Sequence, residues 1–260
     1  MIVPIPSDNK RFRVKVGVRA DSPFSLGIRC YDPTKHNTDF IRRRVPFNEE
    51  LFDRKRSVYK EFTLPFPLSP QKLLLEFYDK AYGDDDGFVI EKFELEKMEA
   101  ARVWAEPEVH SFIDFAESFA LKAGYLPTDI YDSPDKDFMI QYLPAITDEY
   151  GDVLVTPART NHYTGRIQIA QAEFVKYTIP VRMMVLFHER YHFQLPTRHE
   201  KPADFHALRL YLDLGFPKTE AVYATTKIFL NHPESTGPKH LQRVKDNVHF
   251  INAYLANNNQ

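Results

Sequence analysis

The sequence predicts two folded units of different class, an all-β sandwich over residues 1–100 and an α+β domain over residues 101–260. Three observations carry that division. The first hundred residues hold short segments that alternate charged and apolar residues, separated by Pro- and Asp-rich turns. Composition shifts near Glu96–Pro107, and apolar residues then recur with helical spacing. From Pro180 onward every segment reads as helix.

The strands come first. In Arg11–Arg19, Phe12, Val14, Val16 and Val18 fall on one face and Arg11, Arg13, Lys15 and Arg19 on the other. That period of two marks a half-buried antiparallel strand. Phe24–Tyr31, Val58–Leu64, Lys72–Tyr78 and Gly87–Leu95 read the same way, with Ala81–Gly87 as the turn of a hairpin. Pro107 opens a helix whose apolar positions are Val109, Phe112, Ile113, Phe115, Ala116, Phe119 and Ala120, and Gly124 stops it. Short strands are expected at Phe138–Leu143, Asp152–Thr156 and Arg166–Ala170. Helices are expected over Pro180–Phe193, Glu200–Leu214 with Gly215 as stop, Pro217 to Asn231-His232-Pro233, and Pro238–Leu255. Tyr211, Leu212, Leu214 and Phe216, the run Ile228–Leu230, and Val244, Val248, Ile251, Tyr254 and Leu255 supply core faces.

Composition narrows the function. The chain has 260 residues, with 34 Lys and Arg against 36 Asp and Glu, so no positive excess exists to neutralise phosphate, and a nucleic-acid partner is not expected. The single Cys30 excludes an internal disulfide and reads as buried and inert. No apolar stretch approaches the roughly 18–20 residues of a membrane span. The opening MIVPIPSDNK lacks a charged-then-apolar leader, so a soluble, cytoplasmic protein is expected. With 19 Pro, 9 Gly and 14% aromatics, the chain is expected to be folded nearly throughout, with rigid connections.

Chemistry concentrates where the histidines do. His188, His192, His199 and His206 lie within nineteen residues, and the first two belong to His188-Glu189-Arg190-Tyr191-His192, an H-E-x-x-H pattern. On a helix, positions i and i+4 lie one turn apart on one face, so both imidazoles reach one ion. Glu189, rotated by about 100°, lies beside that ion and is placed to take a proton from water. A catalytic zinc site needs a third protein ligand and an open position. Downstream, Glu200-Lys201-Pro202-Ala203-Asp204 offers Glu200 to complete a His₂Glu set. Asp204, one turn on, can bond the free ring nitrogen of a liganding histidine or itself serve as the ligand. His199 and His206 have ligand chemistry too. The plain alternative is two surface histidines on a helix, with Glu189 in an ordinary ion pair.

These residues resemble the zincin metallopeptidases of the gluzincin type, in which HExxH is followed by ExxxD. The resemblance spans roughly residues 105–260 and is specific over 188–204. It implies a zincin-like fold and zinc held by His188, His192 and Glu200, with Glu189 as general base and Asp204 in the outer shell. It also implies a peptide or protein substrate, paired with an edge strand for which Gly165–Ala170 is the candidate. The seven-residue spacer Phe193–His199 is shorter than in larger gluzincins. The layout from the β domain through TPARTNHYTG, HERYH and EKPAD to LGFPKTEAVYA also resembles proteins of tailed phages that infect Bacteroidetes. That implies a different role: a non-enzymatic assembly component in a virion, with the β domain docking a protein partner.

Smaller signals have bland readings beside them. Asp84-Asp85-Asp86 suits Ca²⁺ or a solvated turn. Arg42-Arg43-Arg44 and Arg54-Lys55-Arg56 suit an acidic partner or solvated loop ends. His162, Tyr163 and Tyr191 are candidates to stabilise an oxyanion.

Overall fold

A computed structural model describes residues 1–52, 56–81, 87–99, 101, 103, 105–195, 199–228 and 238–258. The chain divides into two compact units, Met1–Ala101 and Arg102–Gln260. The first is β-rich and the second is α+β. Asp84–Asp86, Arg54-Lys55, Phe229-Leu230 and the Asn231-His232-Pro233 stop lie outside the described residues.

In the first unit β1 (Ile2–Ile5), β2 (Phe12–Ala20), β3 (Phe24–Tyr31), β4 (Asp39–Phe47), β5 (Val58–Phe66), β6 (Leu73–Asp79) and β7 (Phe88–Lys97) form two antiparallel sheets, ordered β1-β6-β3-β4 and β5-β2-β7. Alternation explains β2, where Phe12, Val14, Val16 and Val18 are buried and Arg13 is exposed. Phe24 of one sheet stacks on Phe88 of the other at 5.6 Å between ring centroids, so the apolar faces of the sheets meet. Cys30 is fully buried there, and burial pushes its thiol well above the usual range. β1 and β4 were not anticipated. Pro4 confines β1 to a sheet edge, where it pairs with β6 alone. In β4 the basic run becomes a strand, with Arg42 and Arg44 exposed.

The second unit begins with α1 (Pro107–Lys122), which buries Phe112, Ile113, Ala116, Phe119 and Ala120. A four-stranded sheet follows from β8 (Asp129–Asp132), β9 (Met139–Leu143), β10 (Ala158–Thr160) and β11 (Ile167–Ala170), in the order β10-β11-β9-β8. β9 and β11 are parallel, and the outer strands run antiparallel to them. Two expectations need correction. Asp152–Thr156 is not a strand: only Val153 bridges to Thr147, and Val153 and Val155 are exposed because no neighbouring strand receives their faces. Gly165–Ala170 is not the edge: β11 is interior and buried on both faces, and β10 holds the edge.

After the short α2 (Gln171–Phe174) come α3 (Ile179–Gln194), α4 (Glu200–Asp213), α5 (Lys218–Tyr223) running into a π-helical turn at Ala224–Ile228, and α6 (Pro238–Asn258). Pro180 and Pro202 sit in the first turns of α3 and α4, where a missing N–H breaks no intrahelical bond. Gly215, at φ +85°, takes the left-handed conformation that ends α4. Among the described residues, no helix is long and apolar enough to cross a membrane.

Candidate metal centre

α3 is buried on nearly every side, and among its buried residues are Arg182, His188, Glu189, Arg190 and His192. A buried polar group needs a partner, so these side chains dictate what packs around the helix. Arg190 pairs with Glu108 and lies over the rings of Phe112, Phe138 and Phe193. Glu189 is met by β10, where the Thr160 hydroxyl lies 2.8 Å from both its Oε2 and its backbone oxygen. Gly165, at φ +68°, lets the β10–β11 turn approach Phe193; a Cβ there would stand 2.9 Å from its ring.

His188 and His192, one turn apart, turn their Nε2 atoms to within 3.1 Å, with the rings nearly perpendicular at 88°. Glu200, in the first turn of α4, brings Oε2 to 3.3 Å from His188 Nε2 and 3.6 Å from His192 Nε2. The three donor atoms form a closed triangle. Zinc ligands at about 2.0–2.1 Å in a tetrahedron lie about 3.3–3.4 Å from one another. The three sides, 3.1, 3.3 and 3.6 Å, match the edges of such a tetrahedron. The donor set, two imidazoles and one carboxylate, is also that of a zinc site with room for a fourth ligand. The residues therefore fit the ion.

Asp204 does not join the triangle. It is fully buried behind His188, with Oδ1 3.0 Å from Nδ1 of that ring. Such a contact fixes which ring nitrogen faces forward. This corrects the expectation of Asp204 as a metal ligand: one helical turn beyond Glu200, it meets the rear nitrogen instead. His199 is the N-cap residue of α4, and His206 packs on Tyr191 at 5.4 Å, so neither lies in the triangle. Tyr191 thereby faces His206, and Tyr163 is 87% exposed. His162 lies closer, its ring 5.8 Å from that of His192 and its Nδ1 3.4 Å from the His192 backbone oxygen.

Two residues that the sequence reading missed complete the surroundings. From α6, Arg243 places Nε 2.5 Å and Nη2 2.7 Å from the Asp204 oxygens, with Nη2 also 2.9 Å from Glu200 Oε2. Asn247 donates to Asp204 Oδ2 at 2.8 Å. The only available signal was their i, i+4 spacing beside the apolar stripe of the last helix.

The electrostatics are those of a cation site. Burial works against the charged form of His188, but hydrogen bonds to Asp204 and Glu200 outweigh it and raise the ring to about 10. Burial likewise opposes ionisation of Glu200, yet His188, His192 and Arg243 hold it well below the usual carboxylate range. Asp204, against the same penalty, is drawn down to about 2 by Arg243 and His188. Asp204 is fully buried and the Glu200 side chain about half exposed, and the positive charge of Arg243 beside them keeps both ionised. The chain matches no protein-family model and no curated protein sequence.

Proposed function

We propose that the protein is a zinc-dependent metallopeptidase whose zinc-binding side chains are His188, His192 and Glu200. The observation that carries this reading is the triangle of Nε2, Nε2 and Oε2 with the side lengths of a zinc tetrahedron, flanked by the buried carboxylate of Glu189. Zinc supplies Lewis acidity there, acidifying a water and polarising a substrate carbonyl. Glu189 takes the proton of the attacking water and returns it to the leaving amine. The Thr160 hydroxyl holds Oε2 in place for that transfer. Asp204 keeps the His188 ring turned so that Nε2 faces forward.

The substrate side is supported by β10. The bonds Ala170 N to Pro157 O and Asn161 N to Arg166 O place Pro157 and Asn161 in hydrogen-bonded pairs with β11. Pairs alternate along an antiparallel ladder, so Ala158 and Thr160 turn their N–H and C=O groups to the outer edge, where the Ala158 oxygen accepts from the Thr156 hydroxyl at 2.8 Å. An extended peptide can pair on that edge at Thr160, the residue whose hydroxyl holds Glu189.

The test is Glu189→Gln in the full chain. The variant should bind one zinc per chain, as the parent does, and hydrolyse a peptide library at least about 10²-fold more slowly. A variant that cuts at the parental rate would remove Glu189 as the base. Zinc-loaded parent protein that cuts nothing would leave a non-catalytic metal site, as in an assembly component.

A further inference from the structure

We propose that Arg243 and Asn247 are positioning residues of the metal centre, acting from α6 through the two carboxylates of α4. The inference rests on the metal-binding part of the proposed function and not on catalysis. Glu200 and Asp204 stand one turn apart on one face of α4, where two like charges repel. Each must also point differently: Glu200 forward, with Oε2 in the triangle, and Asp204 backward onto Nδ1 of His188. One guanidinium resolves both demands. Its Nε and Nη2 grip Asp204 as a fork, and Nη2 reaches Glu200 Oε2 as well.

That geometry is specific to arginine, because an ammonium is a point charge without a rigid fork. Asn247 fills a further acceptor site on Asp204, so the fully buried carboxylate has partners on three sides: His188, Arg243 and Asn247. A seam keeps α6 in register with α4: Phe250 packs on Phe205 at 4.5 Å, and the Tyr254 hydroxyl donates to Asp213 Oδ1 at 2.5 Å. Arg243 and Asn247 therefore arrive on a fixed element. Arg243 sets both Glu200, which meets the imidazoles at Nε2, and Asp204, which meets His188 from behind at Nδ1; Asn247 sets Asp204.

The experiment uses the full chain and measures zinc affinity by chelator competition, together with the visible absorption of the cobalt(II)-loaded protein. Arg243→Lys keeps the charge and loses the fork; Asn247→Leu removes one donor; Tyr254→Phe loosens the seam away from the centre. Arg243→Lys should weaken zinc binding about 10–100-fold and alter the cobalt spectrum, and Asn247→Leu should do so to a smaller degree. Tyr254→Phe should change neither. If Arg243→Lys fails to fold, Asn247→Leu carries the test. Parental affinity and spectrum in the folded variants would overturn positioning while leaving the metal centre intact, and so would tighter zinc in Arg243→Lys. An equal loss in Tyr254→Phe would assign the effect to helix packing. A parent chain that takes up no zinc would overturn the metal centre itself, and with it this inference.

Discussion

The two units handle charge differently. In the β unit a row of ion pairs lies on the outer face of the three-stranded sheet: Lys15 with Glu96 at 2.6 Å, Arg19 with Glu91 at 2.5 Å and Lys92 with Glu61 at 3.0 Å. Asp39, between Arg29 and Arg42, is buried. The α+β unit has surface pairs such as Lys201 with Asp246, but it also takes charge inside, and Arg182 and Asp204 have no exposed surface. A charge taken out of water is tolerated only where partners are fixed around it. Surface pairs therefore mark which face of a strand meets solvent. Buried ones determine which helices must sit together, and here they converge on the triangle.

Arg182 gives the strongest way to break that contrast. Its Nε, Nη1 and Nη2 donate to the backbone oxygens of Phe174, Ala120 and Val175, at 3.2, 3.1 and 3.1 Å. One side chain of α3 thus ties down the C-terminal ends of α1 and α2, where carbonyls lack intrahelical partners. Arg182→Leu should lower the unfolding free energy by about 3–5 kcal/mol, because it strips a charged donor from two buried acceptors and a half-buried one. Urea unfolding measures it. A loss below about 1 kcal/mol would mean that packing, not buried charge, joins those helix ends.

Tyr142 sharpens the contrast through pH. Its ring is buried and its hydroxyl donates to the Ala123 oxygen at 2.7 Å. Burial pushes the phenol up to about 12, against a smaller opposing effect of the Arg182 charge. A folded value above the ordinary 10 contributes stability that is complete below pH 10 and is lost as pH climbs through 12. Tyr142→Phe should cost about 1 kcal/mol at pH 8, from the lost hydrogen bond, and yet shed part of the alkaline decline. Tyr177, raised by burial to about 12 as well, retains part of it, together with Tyr191, Tyr211, Tyr254 and Cys30, all raised by burial. Urea midpoints at pH 8 and pH 11 decide, and parallel curves for parent and variant would reject the linkage.

What was legible in the sequence follows the same division. Period-two alternation located β2, β3, β5, β6 and β7, most plainly in β2 and β6, where buried residues alternate with less buried ones. β4 was hidden by three consecutive arginines, and β1 and β10 are too short to display a period. The edge strand was misplaced for a physical reason: apolar pattern identifies strands buried on both sides, and β11 is one, whereas an edge is polar and weakly patterned. His188, Glu189, His192, Glu200 and Asp204 were legible because their spacing is local to two helices. Arg243 and Asn247 were not, since no local pattern links them to Asp204, 39 and 43 positions earlier.

The smallest expected effect tests the other side of the contrast. On β2, Gly17 pairs with Glu61 of β5 and Lys92 of β7, which meet at 3.0 Å, and the space of its missing side chain is taken by Tyr59, whose hydroxyl a Cβ would strike. The same Lys92 lies 3.6 Å from Glu94. The Lys92 hydrogen bond holds the Glu61 carboxyl below its ordinary range. Both groups remain in solvent, where screening and the entropy of ordering two long side chains cancel most of the attraction. Lys92→Met should therefore leave the melting temperature unchanged, and 1 M salt should not separate parent from variant. A drop as large as that of Tyr142→Phe would show the pair acting as a structural clasp across β2, and the sheet's outer face would then share the logic of the buried centre.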